Sequence, residues 1–132
     1  MVASEPQRRW VTRAIRGATT VTHNDREEIV TATAELVAAI MEQNKLSSEE
    51  IVSILFTVTP DLNAAFPALG ARRLGLTLVP LMDALEIPVP GSLPKCIRCL
   101  MHINTDLTQS EINHVYLRGA KVLRPDLAPA EQ

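Results

Sequence analysis

Two cysteines stand two residues apart in the segment Cys96-Ile97-Arg98-Cys99, a spacing that serves in redox and zinc sites. A redox pair opens a helix, so that both sulfurs face one way. The apolar residues around this pair instead predict a strand, in which residues three apart point to opposite faces. A zinc site needs two further ligands at matching spacing, and the sequence has none. We therefore interpret both cysteines as core thiols and expect no metal site.

Histidine, serine and glycine give no catalytic pattern either. The three histidines lie far apart and form no metal-binding pair, and we interpret His102 and His114 as structural. No serine lies in a G-x-S-x-G context, and the five glycines are too scattered to cradle a phosphate. The sequence therefore disfavours a covalent or cofactor-dependent enzyme, and we expect no cofactor.

Arginine is the residue type that points to binding, since it supplies ten of the thirteen cations. Its planar head binds carboxylates and phosphates at two points. Arg98 lies in the middle of an apolar predicted strand, where an unpaired charge would be very costly, so it must have an anionic partner. That partner is either a protein carboxylate such as Glu86 or Asp83, or an anionic ligand, and composition does not decide between them.

The elements that would position these groups follow from hydrophobic periodicity. A capping box at Asp25 and Glu28 predicts the start of a long amphipathic helix that ends near Asn44. We predict strands over residues 10–21, 51–58, 76–82, 96–104 and 119–123, a helical connection over 60–75 interrupted at Pro67, a stiff loop over 87–94 and a short helix over 109–116.

These elements predict an α+β fold, in which a single five-stranded mixed sheet packs against one long helix, with short 3₁₀ or helical segments. Such a sheet has one face left over, and we expect other copies of the chain to bury it. Residues 10–127 are predicted to form one domain, between a disordered leader, 1–9, and a flexible tail, 128–132.

Composition limits the class of protein further. The chain has 132 residues with 46% hydrophobic and 21% charged, which is typical of one globular domain. A net charge of −2 argues against a nucleic-acid binder. No apolar run approaches the roughly 18 residues of a membrane helix, and the N-terminus does not fit a secretory signal, so we expect a cytoplasmic protein that does not bind membranes.

Four segments resemble, in order, the monofunctional, trimeric and non-helical class of chorismate mutase. They are RGATTV at 16–21, TPDLNAAFPALGAR at 59–72, VPLMDALEIPVPGSLPKCIR at 79–98 and HVYLRGAKVLRPDL at 114–127. The resemblance implies an isomerase that converts chorismate to prephenate by a Claisen rearrangement, in the shikimate route to phenylalanine and tyrosine, without a cofactor. It also implies a homotrimer with a pseudo-α/β-barrel core and active sites at the subunit interfaces.

The resemblance also assigns roles to residues of the matching motifs. It makes Arg98 the cation at the ether oxygen of the substrate and at one carboxylate. Arg16 would bind a carboxylate, Glu86 would accept the ring hydroxyl, and Tyr116 would place its phenol beside a substrate carboxylate. Arg98, Arg16 and Glu86 are thus the expected catalytic residues.

Further positions would complete the substrate-binding site. Phe66 and Arg72 match residues that a neighbouring subunit contributes, and Met82 matches a substrate-contacting position of the third segment. Leu123 and Arg124 match the start of a mobile tail that covers the site.

Two positions depart from the family pattern. Asp83 stands where a better-studied relative has a cysteine near the ring hydroxyl. A carboxylate there would repel Glu86 and a dianionic ligand unless it turned away or were protonated, so we expect the backbone of Asp83 to contribute. Leu69 replaces a lysine near the site mouth and removes one attracting charge.

A different class of small trimer remains as the alternative, with interface anion sites of enamine-deaminase or regulatory type. An enamine deaminase would also set an interface arginine against a carboxylate. Such proteins do not need Glu86, Arg16 and the RGATT segment together, and this combination distinguishes the two classes.

Overall fold

The computed structural model describes residues 9–124, so the predicted tail and all but the last residue of the predicted leader lie outside the described residues. The strands and helices, in chain order, are β1 (Val11–Thr20), α1 (Arg26–Gln43), β2 (Ile51–Val58), α2 (Ala68–Arg73), β3 (Leu81–Leu85), β4 (Cys96–Thr105) and β5 (Val115–Tyr116). Short 3₁₀ helices cover Ser48–Glu50, Gln109–Glu111 and Arg118–Leu123.

The five strands form one mixed sheet in the order β3-β2-β4-β1-β5, which confirms the predicted fold class. The long strands β1 and β4 pair antiparallel from Val11 opposite Thr105 to Thr20 opposite Cys96. Strand β2 pairs antiparallel with the other side of β4, while the edge strands β3 and β5 run parallel to β2 and β1. The sheet centre is therefore β4, the strand that carries Arg98.

Helix α1 covers one face of the sheet. Its residues Leu36, Val37 and Ile40 are fully buried and share one hydrophobic cluster with strand residues such as Ile15 and Met101. The carboxylate of Asp25 caps the helix by accepting from the N–H of Glu28 at 3.0 Å. On the opposite face, the 3₁₀ helix Arg118–Leu123 packs beside Ala18, Cys96 and Tyr116, and neither α1 nor α2 covers the rest of that face.

The predicted capping box is only half formed. The side chain of Glu28 does not return to the N–H of Asp25; it accepts instead from the N–H groups of Thr22 and His23, at 2.5 and 3.0 Å. Glu28 therefore stabilises the turn between β1 and α1, and the N–H groups that it binds precede Asp25, the residue that the capping box predicts.

Helix α2 packs against α1 at a glycine. A Cβ atom at Gly70 would lie 2.7 Å from the Thr33 Cβ and from the Ala34 nitrogen, so only glycine allows this approach. Pro67 precedes the helix rather than interrupting it, and Gly75, with φ of +91°, follows its end. This close contact fixes the position of α2, the helix that carries Arg72.

The structure contradicts three of the predicted elements. The strand predicted at 76–82 begins later, at Leu81, and is an exposed edge rather than a buried strand. The helix predicted at 109–116 is a single 3₁₀ turn followed by β5. The strand predicted at 119–123 is a 3₁₀ helix, because Arg118 has a φ of +52° and takes the chain out of the extended region.

Candidate active site

The open face of the sheet brings the predicted catalytic residues together. Arg98 on β4 lies in register with Thr57 on β2 and with Ala18 on β1, while Arg16 lies opposite Leu100. Alternate residues of a strand share a face, so both arginines point away from α1. They border a cavity of about 180 Å³, which is lined by Arg16, Gly17, Leu55, Thr57, Glu86, Arg98, Cys99, Leu100 and Tyr116.

Arg98 and Glu86 form a two-point ion pair at this cavity. Nε of Arg98 donates to Oε2 of Glu86, and Nη2 donates to Oε1, both at 2.7 Å. The guanidinium lowers the pKa of Glu86 below its usual value, and the carboxylate raises the pKa of Arg98. The partner that the sequence left open is therefore Glu86, and Nη1 of Arg98 has no hydrogen bond to residues 9–124.

Thr57 also binds this carboxylate, and the sequence did not point to it. Its hydroxyl donates to Oε2 of Glu86 at 2.5 Å, and the main-chain N–H of Glu86 donates to the carbonyl of Val58 at 2.8 Å. The signal that could have found Thr57 is its position opposite Arg98, which requires the β2–β4 register and not merely the order of residues.

Arg16 supplies the second positive charge. Its guanidinium has no carboxylate partner within the described part of the chain, although its main-chain N–H donates to Nδ1 of His114 at 2.9 Å. Tyr116 on β5 is buried in register with Ala18 and borders the same cavity. Two guanidinium groups and a phenol thus face the space beside one carboxylate.

The predicted residues of the α2–β3 region do not line this cavity within one chain. Phe66 and Met82 are 69% and 67% exposed, and Arg72 is exposed on α2. Phe66 and Asp83 line a separate cavity of about 410 Å³ beside β3. Within one chain the structure therefore does not bring Phe66 to the cavity that Arg98 lines.

Asp83 turns away from Glu86. It lies in register with Phe56, on the sheet face that α1 covers, and its Oδ1 accepts from the N–H of Ala68 at 3.0 Å. Burial raises the pKa of this carboxyl group, which the N–H of Ala68 and the charge of Arg72 partly offset. The side chain therefore avoids the repulsion that a carboxylate in the site would cause.

Of the last two described residues, Leu123 lies beside the cavity and Arg124 acts on His114 through its charge. Leu123 lines an adjoining space of about 240 Å³ together with Arg98 and Glu86. The charge of Arg124 acts on His114, whose pKa is lowered by burial and then by Arg16 and Arg124.

Both cysteines are buried free thiols, which confirms their interpretation as core residues. Burial raises the pKa of Cys96 to about 11 and that of Cys99 to about 12, so neither is a thiolate near neutral pH. Over residues 9–124 no cluster of three or more His, Cys, Asp or Glu side chains could hold a metal ion. The same residues include no helix with the length and apolarity to span a membrane.

The fold and the cavity together define a class of protein: a small α+β domain whose open sheet face carries side chains suited to a small anion. The charged groups that line the cavity are two arginines and the carboxylate that holds one of them, and among residues 9–124 no activated nucleophile lies beside them. Such a site acts by orienting a ligand and by placing fixed charge against it.

Comparison with known proteins identifies the family. The sequence model described as "Chorismate mutase type I" matches residues 12–127. The chain is 52% identical over 120 residues to chorismate mutase AroH of Thermus thermophilus, which covers 90% of this chain and 98% of the relative. It is 47% identical over 117 residues to chorismate mutase AroH of Bacillus subtilis, covering 88% and 92% of the two chains.

A solved structure agrees with these sequence matches. Chorismate mutase from Clostridium thermocellum superposes with a TM-score of 0.83 at 56% identity, and the match covers 83% of this chain and 98% of that one. The chain therefore belongs to the type I chorismate mutase family and is an isomerase of that class. These matches favour the chorismate mutase interpretation over the enamine-deaminase or regulatory alternative.

Proposed function

We propose that this chain converts chorismate to prephenate in the cavity bordered by Arg16 and Arg98. Chorismate is a dianion with two carboxylates, an ether oxygen and a ring hydroxyl. Its rearrangement breaks one C–O bond and forms one C–C bond within the same molecule, and no proton is transferred. The observation that carries the proposal is the pair of guanidinium groups on one sheet face, one of which Glu86 holds at two points.

Arg98 acts on the bond that breaks. The ether oxygen gains negative charge as the C–O bond lengthens, and a fixed cation beside it stabilises the transition state more than the ground state. Glu86 occupies Nε and Nη2, so Nη1 and the second hydrogen of Nη2 remain for the ether oxygen and a carboxylate. The ion pair with Glu86 keeps these donors in a fixed plane.

Arg16, Tyr116 and Glu86 orient the substrate. Arg16 binds a carboxylate by charge, and the Tyr116 hydroxyl donates to one. The carboxylate of Glu86 accepts the ring hydroxyl. Holding the flexible enolpyruvyl arm over the ring removes rotational freedom that the reaction in water must lose on the way to the transition state.

Assembly as a homotrimer completes the site. Five large apolar side chains around β3 are more than half exposed, namely Phe66, Met82, Leu85, Ile87 and Val89. An exposed apolar edge of this size is typical of an interface between chains. A neighbouring copy then brings Phe66 and Arg72 to the Arg98 cavity. Leu123 and Arg124 of the chain that carries Arg98 close over the same cavity.

The remaining partners follow from this proposal. The enzyme binds chorismate and prephenate, and binds neither nucleic acid nor membranes. A cytoplasmic location fits its two reduced thiols, since disulfides are rare in that compartment.

Loss of chorismate absorbance with the purified chain tests the function directly. The assay contains EDTA and no added cofactor, and the rate should be the same with and without the chelator. Sedimentation equilibrium on the same sample should give three times the chain mass. An inactive trimer would contradict the reaction, and a fully active monomer would contradict the shared site.

A further inference from the structure

The carboxylate of Glu86 receives three hydrogen bonds from two residues, and they are unevenly divided between its oxygens. Oε2 accepts from the Thr57 hydroxyl and from Nε of Arg98, whereas Oε1 accepts only from Nη2 of Arg98. We propose that Thr57 is a positioning residue that fixes the Glu86 carboxylate and reserves Oε1 for the substrate hydroxyl. This inference rests on the proposed function and deepens its description of the site.

The number of lone pairs on each oxygen of the Glu86 carboxylate explains why Oε1 remains for the substrate hydroxyl. Each carboxylate oxygen has two lone pairs, about four acceptor positions in all. On Oε2 both are engaged, by Thr57 and by Arg98, so a further donor finds no free lone pair there. On Oε1 one lone pair has no donor among residues 9–124, and Glu86 lines the cavity. The substrate hydroxyl therefore has a single acceptor position, and its distance from Arg98 is fixed by the ion pair.

The strand holds Thr57 where this role requires it. Thr57 lies opposite Arg98 in the β2–β4 ladder, so both donors to Glu86 leave neighbouring strands on the same face. Threonine is branched at Cβ and has few accessible rotamers within a strand. The terminal torsion of glutamate, in contrast, is broad. Without the hydroxyl, a lone pair of Oε2 would also be free and the carboxylate could turn about that torsion, so the substrate hydroxyl would no longer have a single fixed acceptor position.

Alternative roles for Thr57 predict different behaviour. If the hydroxyl merely filled space in the sheet, an isosteric apolar side chain would serve equally well. If it merely satisfied its own hydrogen bond, its loss would affect stability and leave Glu86 unchanged. The positioning role instead predicts that Glu86 titrates differently and that substrate turnover falls when the hydroxyl is removed.

Three variants separate these possibilities. Thr57→Val keeps the shape and removes the donor, Thr57→Ser keeps the donor, and Ser53→Ala removes a hydroxyl from the same strand and face outside the cavity. Thr57→Val should lower kcat/KM roughly tenfold, the usual effect of one lost hydrogen bond to a charged group. Thr57→Ser and Ser53→Ala should stay within about twofold of the parent chain.

A second readout does not depend on activity. In protein labelled with ¹³C at glutamate carboxyl carbons, Glu86 is assigned by its absence from Glu86→Gln and then titrated in each variant. The Glu86 pKa should rise in Thr57→Val and stay at the parent value in Thr57→Ser and Ser53→Ala. An unchanged Glu86 pKa together with unchanged kcat/KM in folded Thr57→Val would overturn the proposal.

The two readouts also separate this inference from the proposed function. If the parent chain does not convert chorismate but the Glu86 pKa rises in Thr57→Val, the reaction is wrong and the contact from Thr57 to Glu86 stands. If Thr57→Val does not fold, Thr57→Ala replaces it in the comparison with Thr57→Ser. Equal Glu86 titration in that pair would overturn the positioning role.

Discussion

Oδ1 of Asp83 lies 3.0 Å from the main-chain nitrogen of Ala68, so an acidic side chain on β3 holds the first residue of α2. The strand and the helix are the two elements that would face a neighbouring subunit, with Phe66 just before the helix and Arg72 within it. A carboxylate that would repel the substrate if it faced the site therefore serves to fix the part of the chain that, in the proposed trimer, would reach the site of the next subunit.

Replacing Asp83 by asparagine should stabilise the protein at neutral pH. Burial raises the pKa of Asp83, so the folded state holds its proton more tightly than the unfolded state, and stability falls as pH rises through that interval. Asp83→Asn removes the charge and keeps the acceptor for Ala68. We expect its Tm at pH 7 to rise by a few degrees, at about 4 °C per kcal/mol, which lies between the values for smaller and larger chains.

The matched variant Asp83→Ala removes the acceptor as well, and its Tm should fall below that of the parent chain. The advantage of Asp83→Asn should shrink as pH is lowered toward 4, where Asp83 itself becomes neutral. Thermal unfolding at pH 4 and pH 7 measures both effects. Equal destabilisation by asparagine and alanine would mean that the ionised charge, through Arg72, matters more than its burial.

Acid should weaken the contact between His114 and Arg16. Nδ1 of His114 accepts from the Arg16 N–H, which requires the neutral ring, and burial, Arg16 and Arg124 lower its pKa. The unfolded chain then binds a proton more readily, so this contribution to stability is complete above about pH 6.5 and is lost as pH falls toward the lowered pKa. Arg13 and Gln109 line the same cavity as His114.

We expect the free energy of unfolding in urea to fall between pH 7.5 and pH 5.5 in the parent chain. His114→Gln keeps a side-chain acceptor and removes the titration, so its decrease over the same interval should be smaller. Equal decreases in the two proteins would show that His114 does not contribute to the pH dependence.

Local periodicity was sufficient to predict the central part of the fold. The apolar run of Ile51–Val58 and the helical spacing of Leu36, Val37 and Ile40 each place one face against a core, and both predictions are confirmed. The strands predicted over residues 10–21 and 96–104 are also confirmed, as β1 and β4, which pair along their whole length.

The elements that the sequence misplaced depend on contacts from elsewhere in the chain. Strand β5 has two residues, and its extended form is supported by pairing with β1 and by the hydrogen bond from the Leu117 N–H to the carbonyl of Ala18. Leu76 and Val79 are buried, as a strand would require, but they lie in an irregular segment before β3 begins at Leu81. Burial alone therefore does not distinguish a strand from an irregular segment.

The candidate site was predicted by family resemblance more than by spacing. Residue types indicated that Arg98 needs an anionic partner, but they did not indicate whether that partner is Glu86, Asp83 or a ligand. That choice depends on which sheet face each acid takes, and Asp83 lies opposite Phe56 on the helix-covered side. Thr57 was missed for the same reason, since only the register places it beside Arg98.

Mixed trimers should recover activity that neither parent variant has. Arg72→Ala and Arg98→Ala would each inactivate every site of a homotrimer if the two arginines come from neighbouring chains. After the two variants are unfolded and refolded together, about one interface in four combines an intact Arg98 with an intact Arg72. The measured rate should approach that fraction of the parent rate. Separately refolded variants, mixed afterwards without exchange, are the control. No recovery in trimers shown by mass to be mixed would place both arginines in one chain's site.

Substitutions of Arg98 separate charge from hydrogen bonding at the ether oxygen. Arg98→Lys keeps a cation but loses the planar fork that Glu86 holds, whereas Arg98→Gln keeps a donor without charge. Loss of one donor aimed at developing charge typically lowers the rate by roughly 10²–10³, so both variants should fall at least that far in kcat, with Gln below Lys.

Arg73→Gln is the matched control for the Arg98 variants. It breaks the exposed two-point pair with Glu27 outside the cavity and should keep the parent kcat. Stopped assays at saturating chorismate, together with binding of prephenate, distinguish the two roles of Arg98. If Arg98→Gln weakened binding and left kcat within a few fold, Arg98 would anchor a carboxylate, and the acceleration would have to come from orientation by Arg16, Glu86 and Tyr116.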